Sequence, residues 1–155
     1  MICRQPIADA FWGPVAENPG FVEGHTFEGN PLSCAAGLAV LREILERDLC
    51  ANARLQGRRL RLGFERLAEK FGIIGDIRGK GLLQGIEFVR DRKTKERFPG
   101  SFGVQVGRRA LANGLLCRFD PHWIAFGPAL ISTAEQIDEM VAILERSIEE
   151  ILETL

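Results

Sequence analysis

Long apolar runs are missing from this chain of 155 residues. No stretch approaches the roughly 20 apolar residues that a membrane-spanning helix needs. An excess of charge is also missing. The formal net charge is -1, so no bulk field favours nucleic acid or an acidic membrane surface, and neither is expected as a partner. The opening Met1-Ile2-Cys3-Arg4-Gln5-Pro6 has no apolar signal core, and a cytoplasmic location is the expectation. Soft metal ligands are scarce. The four cysteines, Cys3, Cys34, Cys50 and Cys117, show no CxxC spacing, and only His25 and His122 are available to join them. Neither a metal site nor a disulfide framework is expected, and the cysteines read as buried or half-buried free thiols. Signatures of several chemistries are absent as well. No Ser–His–Asp order, paired-carboxylate pattern or metal-binding helix occurs.

What is present is the material of one soluble domain: 46% apolar residues and 17 glycines, the glycines clustering at turns between short elements. Residues 1–30 read as irregular, punctuated by Pro6, Gly13-Pro14 and Asn18-Pro19-Gly20. Phe11, Trp12, Phe21 and Phe27 are large apolar groups there that need another surface to lie on. Asn30-Pro31 starts a helix, with Asn as cap and Pro at the first position. It opens with the small residues Ser33–Gly37, continues through Leu38, Leu41 and Leu45, and ends near Asp48. A second helix runs from about Leu49 to Lys70, with Leu49, Ala53, Leu60, Phe64 and Leu67 as one stripe. Its basic face (Arg58, Arg59, Arg61, Arg66) reads as solvated.

Ile73–Arg78 and Leu82–Val89 read as strands about Gly79-Lys80-Gly81. A polar loop over 91–100 precedes a helix over 102–113 closed by Gly114. Leu115–Phe119 and Trp123–Phe126 read as two short strands. Ser132-Thr-Ala-Glu135 reads as a capping box. It opens a last helix whose stripe is Ile137, Met140, Val141, Leu144, Ile148, Ile151 and Leu155. The fold class is therefore α+β, a small antiparallel sheet packed with helices. The expected division is an arm over 1–30, two linking helices over 31–70, and a C-terminal α+β domain over 71–155.

Two segments carry candidate chemistry. Gly79-Lys80-Gly81 lacks the following Ser or Thr of a phosphate-binding P-loop and reads as a strand turn. His25–Pro31 places a hydroxyl and free amides just before a helix start, an arrangement that binds phosphate or simply caps the helix.

Gly24-His25-Thr26-Phe27-Glu28-Gly29-Asn30-Pro31-Leu32-Ser33-Cys34-Ala35-Ala36 closely resembles the G-H-T-aromatic-x-G-(N/H)-P run of the class III, omega-type aminotransferases. Two further segments resemble that family in the right order. They are Gly75-Asp76-Ile77-Arg78-Gly79-Lys80-Gly81-Leu82-Leu83-Gln84-Gly85-Ile86-Glu87-Phe88, similar to its "RGxGLLxGIE" hairpin, and Ile124–Ile131, similar to its "PPL" strand. The resemblance covers essentially the whole chain. It implies the C-terminal domain of a fold-type I transferase using pyridoxal phosphate, usually a homodimer with sites at the subunit interface. It also implies small amine and keto acid substrates. Thr26, with the backbone amide of Phe27, would bind the cofactor phosphate of the neighbouring subunit.

In such enzymes the Schiff-base lysine lies upstream of the H-T motif, whereas Lys70, Lys80, Lys93 and Lys95 all lie downstream of it. No catalytic residue is therefore assigned. Ile7–Phe11 resembles the region just after the lysine strand, so the chain is expected to begin shortly past it. It would be inactive alone, and complemented by an N-terminal half or retained as a binding module. At the position of Ala125, members acting on α-amino acids often carry an arginine for the α-carboxylate. Alanine there implies an amine or ω-amino acid substrate. Arg118 lies nearby in sequence.

Overall fold

The computed structural model describes residues 4–14, 24–98 and 100–155. They fall into two compact units, Met1–Val40 and Leu41–Leu155. Among the described residues no helix is long and apolar enough to cross a membrane.

The N-terminal unit contains a short helix that the sequence reading passed over, α1 (Gln5–Asp9), with a proline in its first turn. Gln5 Nε2 donates to Asp9 Oδ1 at 2.7 Å, one turn on, a local pairing that favours the helix. The expectation for Phe21 lies outside the described residues. Phe11 and Trp12 are exposed. The helix α2 (Pro31–Glu46) buries no residue along its length. Leu32, Leu38, Val40, Leu41 and Leu45 are all between 49% and 79% exposed.

The C-terminal unit is built from α3 (Leu49–Lys70), β1 (Ile74–Lys80), β2 (Leu83–Phe88), α4 (Phe102–Ala112), β3 (Arg118–Asp120), β4 (Trp123–Phe126) and α5 (Ala134–Leu152). The sheet order is β1-β2-β4-β3, antiparallel throughout. Alternation decides its faces. Gln84, Ile86 and Phe88 on β2, with Ile124 and Phe126 on β4, point into the core, while Leu83 stays 70% exposed. Helices cover the inner face with Leu60, Phe64 and Leu67 from α3, Phe102 and Val106 from α4, and Ile137, Leu144 and Ile148 from α5. Burying each such side chain contributes roughly 1.5–3 kcal/mol. Phe64 meets Phe126 at a ring separation of 5.1 Å, and Phe88 meets Phe102 edge-on at the same distance.

Two devices hold the layers together. A Cβ at Gly57 would lie 2.3 Å from the Gly81 carbonyl, and one at Gly107 would lie 2.3 Å from the Phe119 ring. Helices α3 and α4 therefore approach the sheet more closely than any side chain permits. Arg92 donates to the carbonyls of Ala68, Phe71 (3.0 Å) and Ile74 (2.8 Å). It thereby satisfies carbonyls left open where α3 ends.

Several local expectations shift. The capping box of α5 is formed by Thr133 and Gln136, not by Ser132 and Glu135. Ser132 is buried, and its carbonyl accepts from Asn52 Nδ2 at 3.0 Å. Leu155 lies past the end of α5 and is exposed. Cys34 and Cys50 are exposed rather than buried, while Cys117 is half-buried.

Candidate active site

The residues singled out by sequence occupy two places, one in each unit. In the N-terminal unit the His25–Asn30 segment is a tight turn. The Glu28 amide donates to the His25 carbonyl at 2.9 Å, and the Asn30 amide donates to that of Phe27 at 3.1 Å. Gly29 adopts φ +74°, which a glycine takes without strain. Asn30 Oδ1 accepts from the amides of Leu32 (3.0 Å) and Ser33 (3.2 Å). The capping role foreseen for this asparagine is thus in place, and it uses two of the four amides a helix start leaves free. Thr26 and Phe27 precede the cap and are exposed. Neither the Thr26 hydroxyl nor the Phe27 amide has a hydrogen-bond partner among the described residues. A hydroxyl and a backbone amide without partners, beside the positive end of α2, are donors of the kind that a phosphate oxygen accepts from.

In the C-terminal unit the exposed face of the sheet floors a cavity of about 470 Å³. One row crosses this face of the sheet strand by strand; Arg78, Gly85 and Ala125 line that cavity, and Arg118 lines a neighbouring one. Arg78 stands opposite Gly85, Gly85 opposite Ala125, and Ala125 opposite Arg118. The middle of the row carries almost no side chain, and a guanidinium stands at each end. Arg78 Nε donates to Asp76 at 2.8 Å, and Nη2 donates to Glu87 on the neighbouring strand. This fits a role in organising the hairpin. The Arg118 guanidinium has no carboxylate partner among the described residues and lies 5.6 Å from the centre of the Trp123 ring, within cation–π range. Sequence reasoning left Arg118 aside. The signal was available: Arg118, Asp120, Trp123 and Ala125 alternate about the two-residue turn Pro121-His122, which folds residue 118 onto residue 125.

The four lysines are all in the C-terminal unit. Lys70 Nζ donates to Glu145 at 2.6 Å and to Glu149 at 2.5 Å. The hydrogen bond it donates to Glu145, then that to Glu149, holds its ammonium above the usual lysine range. An amine kept charged is a poor nucleophile. Lys95 donates to the Gly75 carbonyl at 2.8 Å. Lys80 and Lys93 are exposed. None lines the cavity over the sheet. Among the described residues no group of His, Cys, Asp and Glu could hold a metal ion.

The sequence profile of the family "Aminotransferase class-III" matches residues 1–148. The chain belongs to the class III aminotransferases. It is 39% identical over 154 residues to an adenosylmethionine-8-amino-7-oxononanoate aminotransferase of Geobacter sulfurreducens, covering 95% of this chain and 33% of that enzyme. It is 38% identical over 133 residues to a leucine/methionine racemase of Thermococcus litoralis, covering 84% and 30%. The crystal structure of the adenosylmethionine-8-amino-7-oxononanoate aminotransferase from Methanocaldococcus jannaschii superposes with a TM-score of 0.77 at 30% identity, over 93% of this chain and 33% of that one. The chain thus spans about a third of the length of the relatives it matches. The α+β class and the antiparallel sheet expected from sequence hold.

Class III aminotransferases depend on pyridoxal phosphate. The residues of this chain fit one end of that cofactor. Thr26 and Phe27 offer free donors to its phosphate. Within the C-terminal unit, Lys70 and Lys95 are engaged and Lys80 and Lys93 are exposed.

Proposed function

We propose that the chain is the C-terminal portion of a pyridoxal-phosphate transaminase. It would move an amino group from an amine or ω-amino acid to a keto acid, and it is inactive until a lysine-bearing portion completes the site. The observation that carries this reading is the pairing of a free Thr26–Phe27 donor set with four lysines that are engaged or exposed. Bound cofactor supplies the electron sink for amino transfer. Thr26 and Phe27 bind its phosphate, and the covalent partner comes from elsewhere, as an N-terminal half or within a homodimer of a longer protein. The segment 1–30 then belongs with that larger portion.

The row across the sheet refines the substrate. Alanine at position 125 removes one guanidinium, but Arg118 stands directly opposite it on the same face. Arg118 is free to take a substrate carboxylate as a two-point pair. An ω-amino acid presents its carboxylate far from the reacting amine, which suits an arginine displaced by one strand. Exposed, unpaired Cys34 and Cys50 suit a reducing cytoplasm.

A second reading has its own support. Helix α2 buries nothing and exposes five large apolar residues, as an interaction module does. Mixing the chain with a lysine-bearing N-terminal portion of a class III aminotransferase separates the two. Transamination that depends on Thr26 supports the split enzyme. Stable association without turnover supports the module.

A further inference from the structure

The cavity of about 470 Å³ over the sheet has a wall that the row of strand residues does not supply. Arg97, from the loop between β2 and α4, lines it beside Arg78, Leu83, Gly85, Trp123 and Ala125. The loop is fixed on both sides of this residue. The Arg90 amide donates to the Glu96 carbonyl at 2.6 Å. The Phe98 ring stacks on that of buried Phe102, with centres 4.4 Å apart. The backbone at Arg97 is thus held in place while its side chain stays exposed to the cavity.

The charges around the cavity leave this one guanidinium over. Arg78 pairs with Asp76 at 2.8 Å and with Glu87, which commits both carboxylates. Glu96, next to Arg97 in sequence, pairs with Arg90 at 3.3 Å. Arg97 has no carboxylate partner among the described residues. Arg118 lines the neighbouring cavity instead.

The floor is an independent observation. Gly85 and Ala125 stand opposite each other on β2 and β4. A Cβ at Gly85 would lie 2.9 Å from the Ile124 carbonyl oxygen, so the approach of the two strands keeps that position bare. Trp123 and Leu83 are two residues away along their strands, on the same face and on opposite sides of the Gly85–Ala125 pair. The result is a flat apolar trough with an indole at one end, an exposed leucine at the other and a free cation above it.

We propose that this cavity binds a small carboxylic acid with a flat apolar body, of the aryl carboxylate class. The ring lies on Gly85 and Ala125 between Trp123 and Leu83, and Arg97 takes the carboxylate as a two-point pair. Every residue involved lies in the C-terminal unit and none is a lysine, so the proposal is independent of the transaminase reading.

The test uses the full chain carrying Trp12→Phe, which leaves Trp123 as its one tryptophan. The probes are 3-phenylpropanoate and its uncharged amide, 3-phenylpropanamide, each titrated while Trp123 emission is followed. The acid should give a saturable change and bind about tenfold or more tightly than the amide. Arg97→Gln should keep the parent circular dichroism, lose about tenfold or more in affinity for the acid and leave the amide unaffected. Ala125→Leu, which fills the floor, should abolish saturation by either probe. Equal affinity for acid and amide, unchanged acid affinity in Arg97→Gln, or no saturable change with the acid would overturn the proposal.

Discussion

Replacing Gly57 with alanine tests how α3 is seated on the β1–β2 hairpin that helps to floor the cavity. The added methyl would lie 2.3 Å from the Gly81 carbonyl carbon and oxygen and 2.6 Å from its Cα. These are backbone atoms, so helix and hairpin must separate. Overpacking of this kind costs about 1–3 kcal/mol. Separation also breaks the bond from Gln84 Nε2 to the Gly57 carbonyl and leaves buried polar groups unmatched, a further 1–3 kcal/mol or so. The gain in helix propensity from glycine to alanine returns about 1 kcal/mol. The net expectation is a loss of about 3 kcal/mol, read by urea unfolding of the parent and the variant. Gly37 in α2 is the control. A Cβ there meets nothing within 4 Å, so Gly37→Ala should leave stability unchanged or raise it by up to about 1 kcal/mol. A Gly57→Ala variant as stable as the parent would refute the close-contact argument.

Three further outcomes follow from named groups. Arg59, first through its hydrogen bond and then through its charge, holds Asp138 below the usual carboxylate range. That contribution is complete above about pH 4 and fades as pH falls through the lowered value. Arg59→Ala should therefore lose stability at neutral pH and show a shallower decline in acid, measured by unfolding at a series of pH values. Burial pushes the Cys117 thiol up to about 11, so a thiol reagent should modify Cys34 and Cys50 first and reach Cys117 only on unfolding. In an assembled transaminase, Arg118→Ala should raise KM for ω-amino acids by about tenfold or more and leave simple amines unaffected. Equal effects on both substrate classes would remove Arg118 from the substrate site.

Regular elements were legible where period and punctuation agreed. The bounds of α3, Leu49–Lys70, agree with those read from its stripe. Partners with no hydrophobic signature were not legible. Gln84 is buried while it donates to the carbonyls of Gly57 in α3 and Gly81 in the turn, bonds between elements that periodicity does not register, and buried Gln56 donates to Asn52 one turn back in α3. The cap of α5 lies one residue further on, where Thr133 has the extended backbone of a cap and its hydroxyl accepts from the Gln136 amide. At the candidate site, the turn and the asparagine cap were legible from Thr26 to Pro31. The row from Arg78 to Arg118 was not, because it exists only once four strands are in register.

The central claim is that this chain carries a phosphate-binding piece of a class III aminotransferase and no lysine for the cofactor. Its most direct test adds pyridoxal phosphate to the purified chain, reduces with borohydride and maps adducts by peptide mass. The structure predicts no stoichiometric adduct at a single lysine: Lys70 is held by Glu145 and Glu149, Lys95 by the Gly75 carbonyl, and Lys80 and Lys93 are exposed to solvent, where an aldehyde gives only partial and unselective adducts. Stoichiometric labelling of any one of these four lysines would contradict the account and make the chain a candidate enzyme on its own.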